Sequence, residues 1–143
     1  MTSKLFIDSD VVIDFFTDRK PHVNPASELF ELSEKGDVIL YLSAVSINNI
    51  YYIVRKFLGH RKTLDVIEEL TNMTEIVGTT QKEIIQALKS EFADYEDSVQ
   101  HASALTIEGI DAIITRNVKD YKNSEIAVMT PLNYLKMRDE NES

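Results

Sequence analysis

The residues best placed to do chemistry are acids, and they fall just past the apolar runs. Asp8-Ser9-Asp10 follows Leu5-Phe6-Ile7, and Asp94-Tyr95-Glu96-Asp97 opens a stretch with helical spacing. Arg116, Asn117 and Asp120 follow Ala112-Ile113-Ile114-Thr115, and Ser43 follows Val38 to Leu42. Carboxylates crowded together repel, so at neutral pH they need protons or a cation to coexist. Mg²⁺ or Mn²⁺ suits such all-oxygen surroundings and keeps several of its waters. A cation held this way activates water and neutralises charge on a phosphoryl group. Other chemistries find little footing. There is no cysteine, hence no disulfide, no cysteine zinc site and no thiol nucleophile. His22, His60 and His101 are scattered without zinc spacing and read as surface or helix residues. No G-x-S-x-G elbow or phosphate-binding glycine loop occurs.

Each candidate also has a purely structural role open to it. Asp8 and Asp10 can cap the helix that follows them, and Asp94 reads as an N-cap. Asp97 falls at the third helical position, where an acid favours the macrodipole. Asp14 and Asp18 continue from Asp10 at i, i+4 spacing and read as a solvated helix face. Arg116 and Arg55 are candidates for a phosphate contact, although Arg55 and Lys56 equally suit a helix C-terminus. Tyr52 can stack on a base, whereas Tyr51 lies on an apolar stripe and reads as core.

The elements that must position these residues alternate along the chain. Lys4–Ile7 reads as a buried strand, followed at once by a short helix over Val11–Phe16. Asn24 as N-cap and Pro25 at the first helical position open a helix that stops near Gly36. A strand over Val38–Leu42 leads to a helix from Ser46 to Leu58, ended by Gly59, and another from about Arg61 to Leu70. Glu75–Val77 is a third strand, and Thr80-Gln81-Lys82-Glu83 is a capping box opening the next helix. A helix from Tyr95 to about Glu108 is closed by Gly109. Ala112–Thr115 and Ala127–Met129 are the last strands, and Thr130-Pro131 caps a final helix through Met137. Such alternation implies an α/β fold with a mostly parallel sheet flanked by helices. Ligands of such sheets bind beyond the carboxyl ends of the strands, where the acids lie.

With 143 residues, 43% of them apolar, the chain suits one domain. The expected layout is a domain over 1–138 and a polar tail over 139–143. No signal peptide is read at the start, and the apolar runs are too short to span a bilayer. A soluble cytoplasmic protein is the expectation. The net charge of −9 argues against broad nucleic-acid binding through a basic face. It leaves room for an enzyme that reaches a phosphate through a metal.

Phe6-Ile7-Asp8-Ser9-Asp10-Val11-Val12-Ile13-Asp14 resembles the opening strand and helix of PIN domains. The stretches Asp94 to Ala102 and Asp111 to Tyr121 are similar to the family's second half and are the more specific signal; Thr130-Pro131 matches as well. The likeness covers almost the whole chain. It implies a PIN-like α/β fold and a divalent-metal-dependent endoribonuclease, with Asp8, Asp97 and Asn117 as catalytic and metal-binding residues. Asn49 stands where the family usually has a glutamate, and Asn117 where it often has an aspartate. Both substitutions remove charge, and Asp10, Asp94 or Asp120 would compensate. Small stand-alone members resemble the toxin of a toxin–antitoxin pair, which implies an RNA substrate, an inhibitory antitoxin protein and a homodimer. Two alternatives stay open. Asp8-Ser9-Asp10 also resembles the first motif of haloacid-dehalogenase-like phosphatases, with Ser43 in place for their second. A degenerate, non-catalytic PIN domain would bind RNA or a protein partner only.

Overall fold

The computed structural model describes residues 2–142. Met1 and Ser143, the outer limits of the expected domain and tail, lie outside the described residues. The chain runs β1 (Ser3–Ile7), α1 (Ser9–Phe16), α2 (Val23–Glu34), β2 (Val38–Ser43), α3 (Ala44–Met73) and β3 (Glu75–Val77). It continues with α4 (Gln81–Leu88), α5 (Tyr95–Ala104), β4 (Ala112–Ile114), a 3-10 turn (Val118–Tyr121), β5 (Val128–Met129) and α6 (Pro131–Glu142). The five strands are all parallel and lie in the order β3-β2-β1-β4-β5. This is the α/β fold expected from the strand–helix alternation. β1 sits at the centre, with β2 and β4 on either side.

Because both faces of the sheet are covered, Leu5-Phe6-Ile7 of β1 and Ala112-Ile113-Ile114 of β4 are apolar at every position. Leu5 and Ile7 of β1 pack with Ala112 and Ile114 of β4 into one core, together with α1, α2, α3 and α6. Phe6 and Ile113 point the other way, into a smaller core with Ala104, Ile107, Tyr121 and Ile126. The start of β1 is pinned to the α5–β4 connection. Lys4 donates its backbone N–H to Asp111 Oδ2 at 2.8 Å and its Nζ to the Glu108 carbonyl at 2.8 Å.

Several boundaries differ from the sequence reading, each for a local reason. α1 begins at Ser9 rather than Val11, because the Asp8 side chain caps it from the strand end. α2 begins at Val23 after His22, so Asn24 is not its cap; Pro25 still falls in the first turn, where a missing N–H costs nothing. Ser43 caps α3 through its Oγ, accepting from Val45 N–H at 3.1 Å, and helix starts two residues earlier than expected. The two helices expected on either side of Gly59 abut as one bent α3, with Gly59 alone non-helical at φ 80°. Only glycine adopts that angle at little cost. α5 ends at Ala104, four residues early, as Thr106 and Ile107 fold back onto the Ser103 and Ala104 carbonyls in i→i−3 turns. α6 continues to Glu142 through residues assigned to a tail. Its segment beyond Met137 holds no Gly or Pro to stop it, and Arg138 reaches Asp37 at 3.8 Å. Among the described residues no helix is long and apolar enough to cross a membrane.

Candidate metal-binding active site

The strand order reverses direction at β1, opening a crevice at the carboxyl ends of β1 and β4. Asp8 stands there, one residue past β1, and is 7% exposed. Its Oδ1 accepts from Ser9 N–H at 2.7 Å and from Gln100 Nε2 at 2.9 Å. Its Oδ2 accepts from Thr115 Oγ1 at 2.9 Å and more weakly from Tyr121 OH at 3.4 Å. All four donors are neutral. Burial raises the Asp8 carboxyl above its ordinary value, and these hydrogen bonds pull it back. A fixed, buried carboxylate without a cationic partner among the described residues results. The Tyr121 phenol beside it is held protonated, by burial first and by the charge of Asp8 second.

Gln100 is itself oriented. Ser46, in the first turn of α3, donates its hydroxyl to Gln100 Oε1 at 3.1 Å, which turns the amide NH₂ toward Asp8. Asn49, one turn further along α3, reaches Ser9 Oγ with its Nδ2 at 3.4 Å. Asn117 likewise directs its Nδ2 at Asp10 Oδ2, at 3.3 Å. Both amides are thus held through nitrogen, leaving their oxygens as the acceptors.

Asp10 joins the same rim from the first turn of α1. Its Oδ2 accepts from Arg116 N–H at 3.2 Å and from Thr115 Oγ1 at 3.4 Å, while its Oδ1 is buried with no partner among the described residues. Its carboxyl is raised to about 7, by burial first and by the charge of Asp8 second. Asp97 is raised to about 7 as well, by burial and then by Asp8, Asp94, Asp120 and Glu96. The capping role open to Asp94 is realised: its Oδ1 accepts from Asp97 N–H at 3.0 Å. Acids from β1–α1, α5 and the 3-10 turn therefore sense one another across one rim.

An all-oxygen donor set, an orphaned buried oxygen on Asp10 and acids that destabilise each other's charge fit a hard divalent cation. Among the described residues no three His, Asp or Glu side chains gather closely enough to cage an ion alone. Amide oxygens and waters would have to complete the shell.

Two cations behave differently from the sequence reading. Arg116 turns inward and sets its Nε 2.6 Å from Asp14 Oδ2, with a quarter of its side chain exposed. Asp14, read as part of a solvated face, is instead 1% exposed. Val11, three residues earlier on the same face and 1% exposed, is the signal that this face turns inward. Arg55 is exposed but lies 12 residues along α3 from Ser43, roughly 18 Å from the rim at 1.5 Å per residue. Residue spacing did not single out Gln100, Ser46 or Tyr121. Gln100 was legible as i+3 from Asp97, one helical turn on, and Thr115 as the polar end of an apolar strand. His101, read as a surface or helix residue, is on α5 but buried. Burial lowers its pKa, and the neutral ring accepts Glu125 N–H on Nε2 at 3.1 Å.

Known proteins match this chain over most of its length. A family model described as PIN domain matches residues 4–119. The chain is 27% identical over 134 residues to "Ribonuclease VapC1" of Aquifex aeolicus, covering 90% of this chain and 91% of that protein. Among solved structures it resembles a DNA-bound VapBC from Salmonella typhimurium, with TM-score 0.67, 18% identity, and 91% and 99% of the two chains covered. It also resembles a toxin–antitoxin complex from Klebsiella pneumoniae, with TM-score 0.66, 22% identity, and 90% and 98% covered.

Proposed function

This chain belongs to the PIN domain family, and from that premise we propose that it is a divalent-metal-dependent endoribonuclease, the toxin of a toxin–antitoxin pair. The observation that carries the reading is Asp8: a buried carboxylate, fixed by four neutral donors and facing other acids, with no cation of its own. The relative named as a ribonuclease and the solved toxin–antitoxin complexes support it. The complexes likewise support an antitoxin protein as partner; a homodimer and a cytoplasmic setting are part of the same proposal. A single domain over 1–138 is part of the proposal; the family match covers residues 4–119, and β5 and α6 lie beyond it.

Mg²⁺ or Mn²⁺, held by Asp8, Asp97 and the Asn117 oxygen, would supply an activated water and charge neutralisation at the phosphate. The chain's own residues do the rest. Ser9, Gln100, Thr115 and Tyr121 hold Asp8 in one orientation. The Thr115 hydroxyl lies between Asp8 Oδ2 at 2.9 Å and Asp10 Oδ2 at 3.4 Å, and shares its one proton between them. Asn49 and Asn117 present oxygen without charge or useful basicity, so proton removal falls to the acids. Asp10, Asp94 and Asp120 contribute the negative field that the two amides lack.

The phosphatase alternative loses ground. Ser43 already caps α3, and Asp10 is bound up with the chain after β4 instead of standing free as an acid. The test is cleavage of single-stranded RNA with Mn²⁺, against chelation and Asp8→Asn. Both are expected to abolish cleavage. Cutting that survives them overturns the reading, and Mn²⁺ binding without any cutting would mark a non-catalytic PIN domain.

A further inference from the structure

Past Arg116, on the β5 side of the rim, a pocket of about 310 Å³ opens between the α1–α2 connection and the start of α6. Pro21, Pro25, Pro131 and Leu132 line it together with Asp14 and Arg116. Proline rings give stiff apolar walls, since their backbone φ is fixed. The ion pair between Arg116 and Asp14 commits that guanidinium to a carboxylate, so it is a poor anchor for a phosphate; His22 and Thr130 complete the lining. The pocket offers apolar surface and the terminal N–H donors of a guanidinium that is a quarter exposed. A neutral planar ring with a polar edge suits those features, and unpaired bases pack on apolar side chains and guanidinium planes in this way. An aliphatic protein side chain would leave the guanidinium donors unmatched.

Arg116 joins this pocket to the acidic rim. Its backbone N–H donates to Asp10 Oδ2 at 3.2 Å while its side chain lines the pocket. Arg116 is therefore a member of both the rim and the pocket wall. We propose that this pocket receives one unpaired base of the RNA strand, adjacent to the scissile phosphate, and so sets the preference for where the strand is cut. The proposal rests on the ribonuclease reading above.

Leu132 is 49% exposed, so Leu132→Trp fills the pocket without opening the core. The wild-type and variant chains are compared by Mn²⁺ calorimetry and by cleavage of a single-stranded RNA in which each base in turn is removed. In the wild type, loss of one base beside the cut is expected to raise KM roughly tenfold, the worth of one stacked base. Leu132→Trp is expected to raise KM for intact RNA to that level, with no added penalty from the abasic position and with Mn²⁺ binding retained. No sensitive position, or a variant that cuts RNA as the wild type does, overturns the proposal and leaves the pocket to a protein side chain. Should the wild type bind Mn²⁺ yet cut nothing, the ribonuclease reading fails separately. Binding of end-labelled RNA then decides for the pocket: weaker binding by Leu132→Trp supports it, and equal binding overturns it.

Discussion

Asp8 and Asp14 lie six residues apart, and both carboxylates are buried, at 7% and 1% exposed. They are partnered in opposite ways, and Asp14 keeps one oxygen, Oδ1, without a hydrogen-bond partner among the described residues. Asp8 receives neutral donors from four parts of the chain, whereas Asp14 receives a guanidinium. Neutral donors fix an anion while leaving its charge uncancelled; a cation cancels it. The difference teaches that burial and acidity alone do not mark a functional acid. What satisfies the acid does.

The sharpest way to break this comparison is to remove each charge in turn. Asp8→Asn is expected to lower RNA cleavage by on the order of a thousandfold, since metal-borne stabilisation of several kcal/mol goes with the charge. Its melting temperature should hold. The new amide can keep its oxygen toward Ser9 and Gln100 and its NH₂ toward the Thr115 and Tyr121 hydroxyls, which can accept as well as donate. Asp14→Ala should do the reverse. It leaves Arg116 unpaired, and denaturant unfolding should show a loss of about 3–5 kcal/mol, as when one partner of a buried pair is removed. Mn²⁺ heat per folded molecule should persist. Equal losses of Mn²⁺ binding in both variants would erase the distinction.

A smaller effect tests the orientation of Asp8. Gln100→Leu removes the donor to Oδ1 and is expected to weaken Mn²⁺ binding about 10–100-fold, as for other groups that orient a metal ligand. Calorimetry reads this directly, and Gln100→Glu should not restore it, because it sets a second carboxylate against the first.

The smallest effect is on pH dependence. Asp10 and Asp97 have carboxyls at about 7 in the folded chain against 3.8 for an unperturbed aspartate. A raised folded pKa means that protons bind more tightly to the native state. The associated stability is present below the unfolded value and lost as pH rises through about 7. Metal-free protein should therefore melt lower at about pH 8 than at about pH 5, and Mn²⁺ should raise the melting point chiefly at the higher pH. A melting curve indifferent to both would remove the repulsion on which the rim is argued.

Much of the fold was legible because β1 and β4 must be apolar on both faces, and Leu5-Phe6-Ile7 and Ala112-Ile113-Ile114 read so directly. The acids at their ends followed from the rule for parallel sheets. Helix ends were harder, since a cap such as Asp8 or Ser43 works through a hydrogen bond that spacing does not reveal. Asp14 was misread because i, i+4 periodicity from Asp10 says which residues share a face but not which way that face turns. Gln100 and Tyr121 could not be assigned to Asp8 from spacing, since their link exists only once β1 lies beside β4.

That last link has a consequence in time. The partners of Asp8 besides its own neighbour lie 92, 107 and 113 residues further along. Chains emerge from the ribosome N-terminal end first. Asp8 is therefore made well before the residues that aim it. Until Thr115 and Tyr121 emerge and β4 docks on β1, the growing chain holds an acid without the frame that aims it. A site assembled in this order is complete only once the residues through Tyr121 have been made.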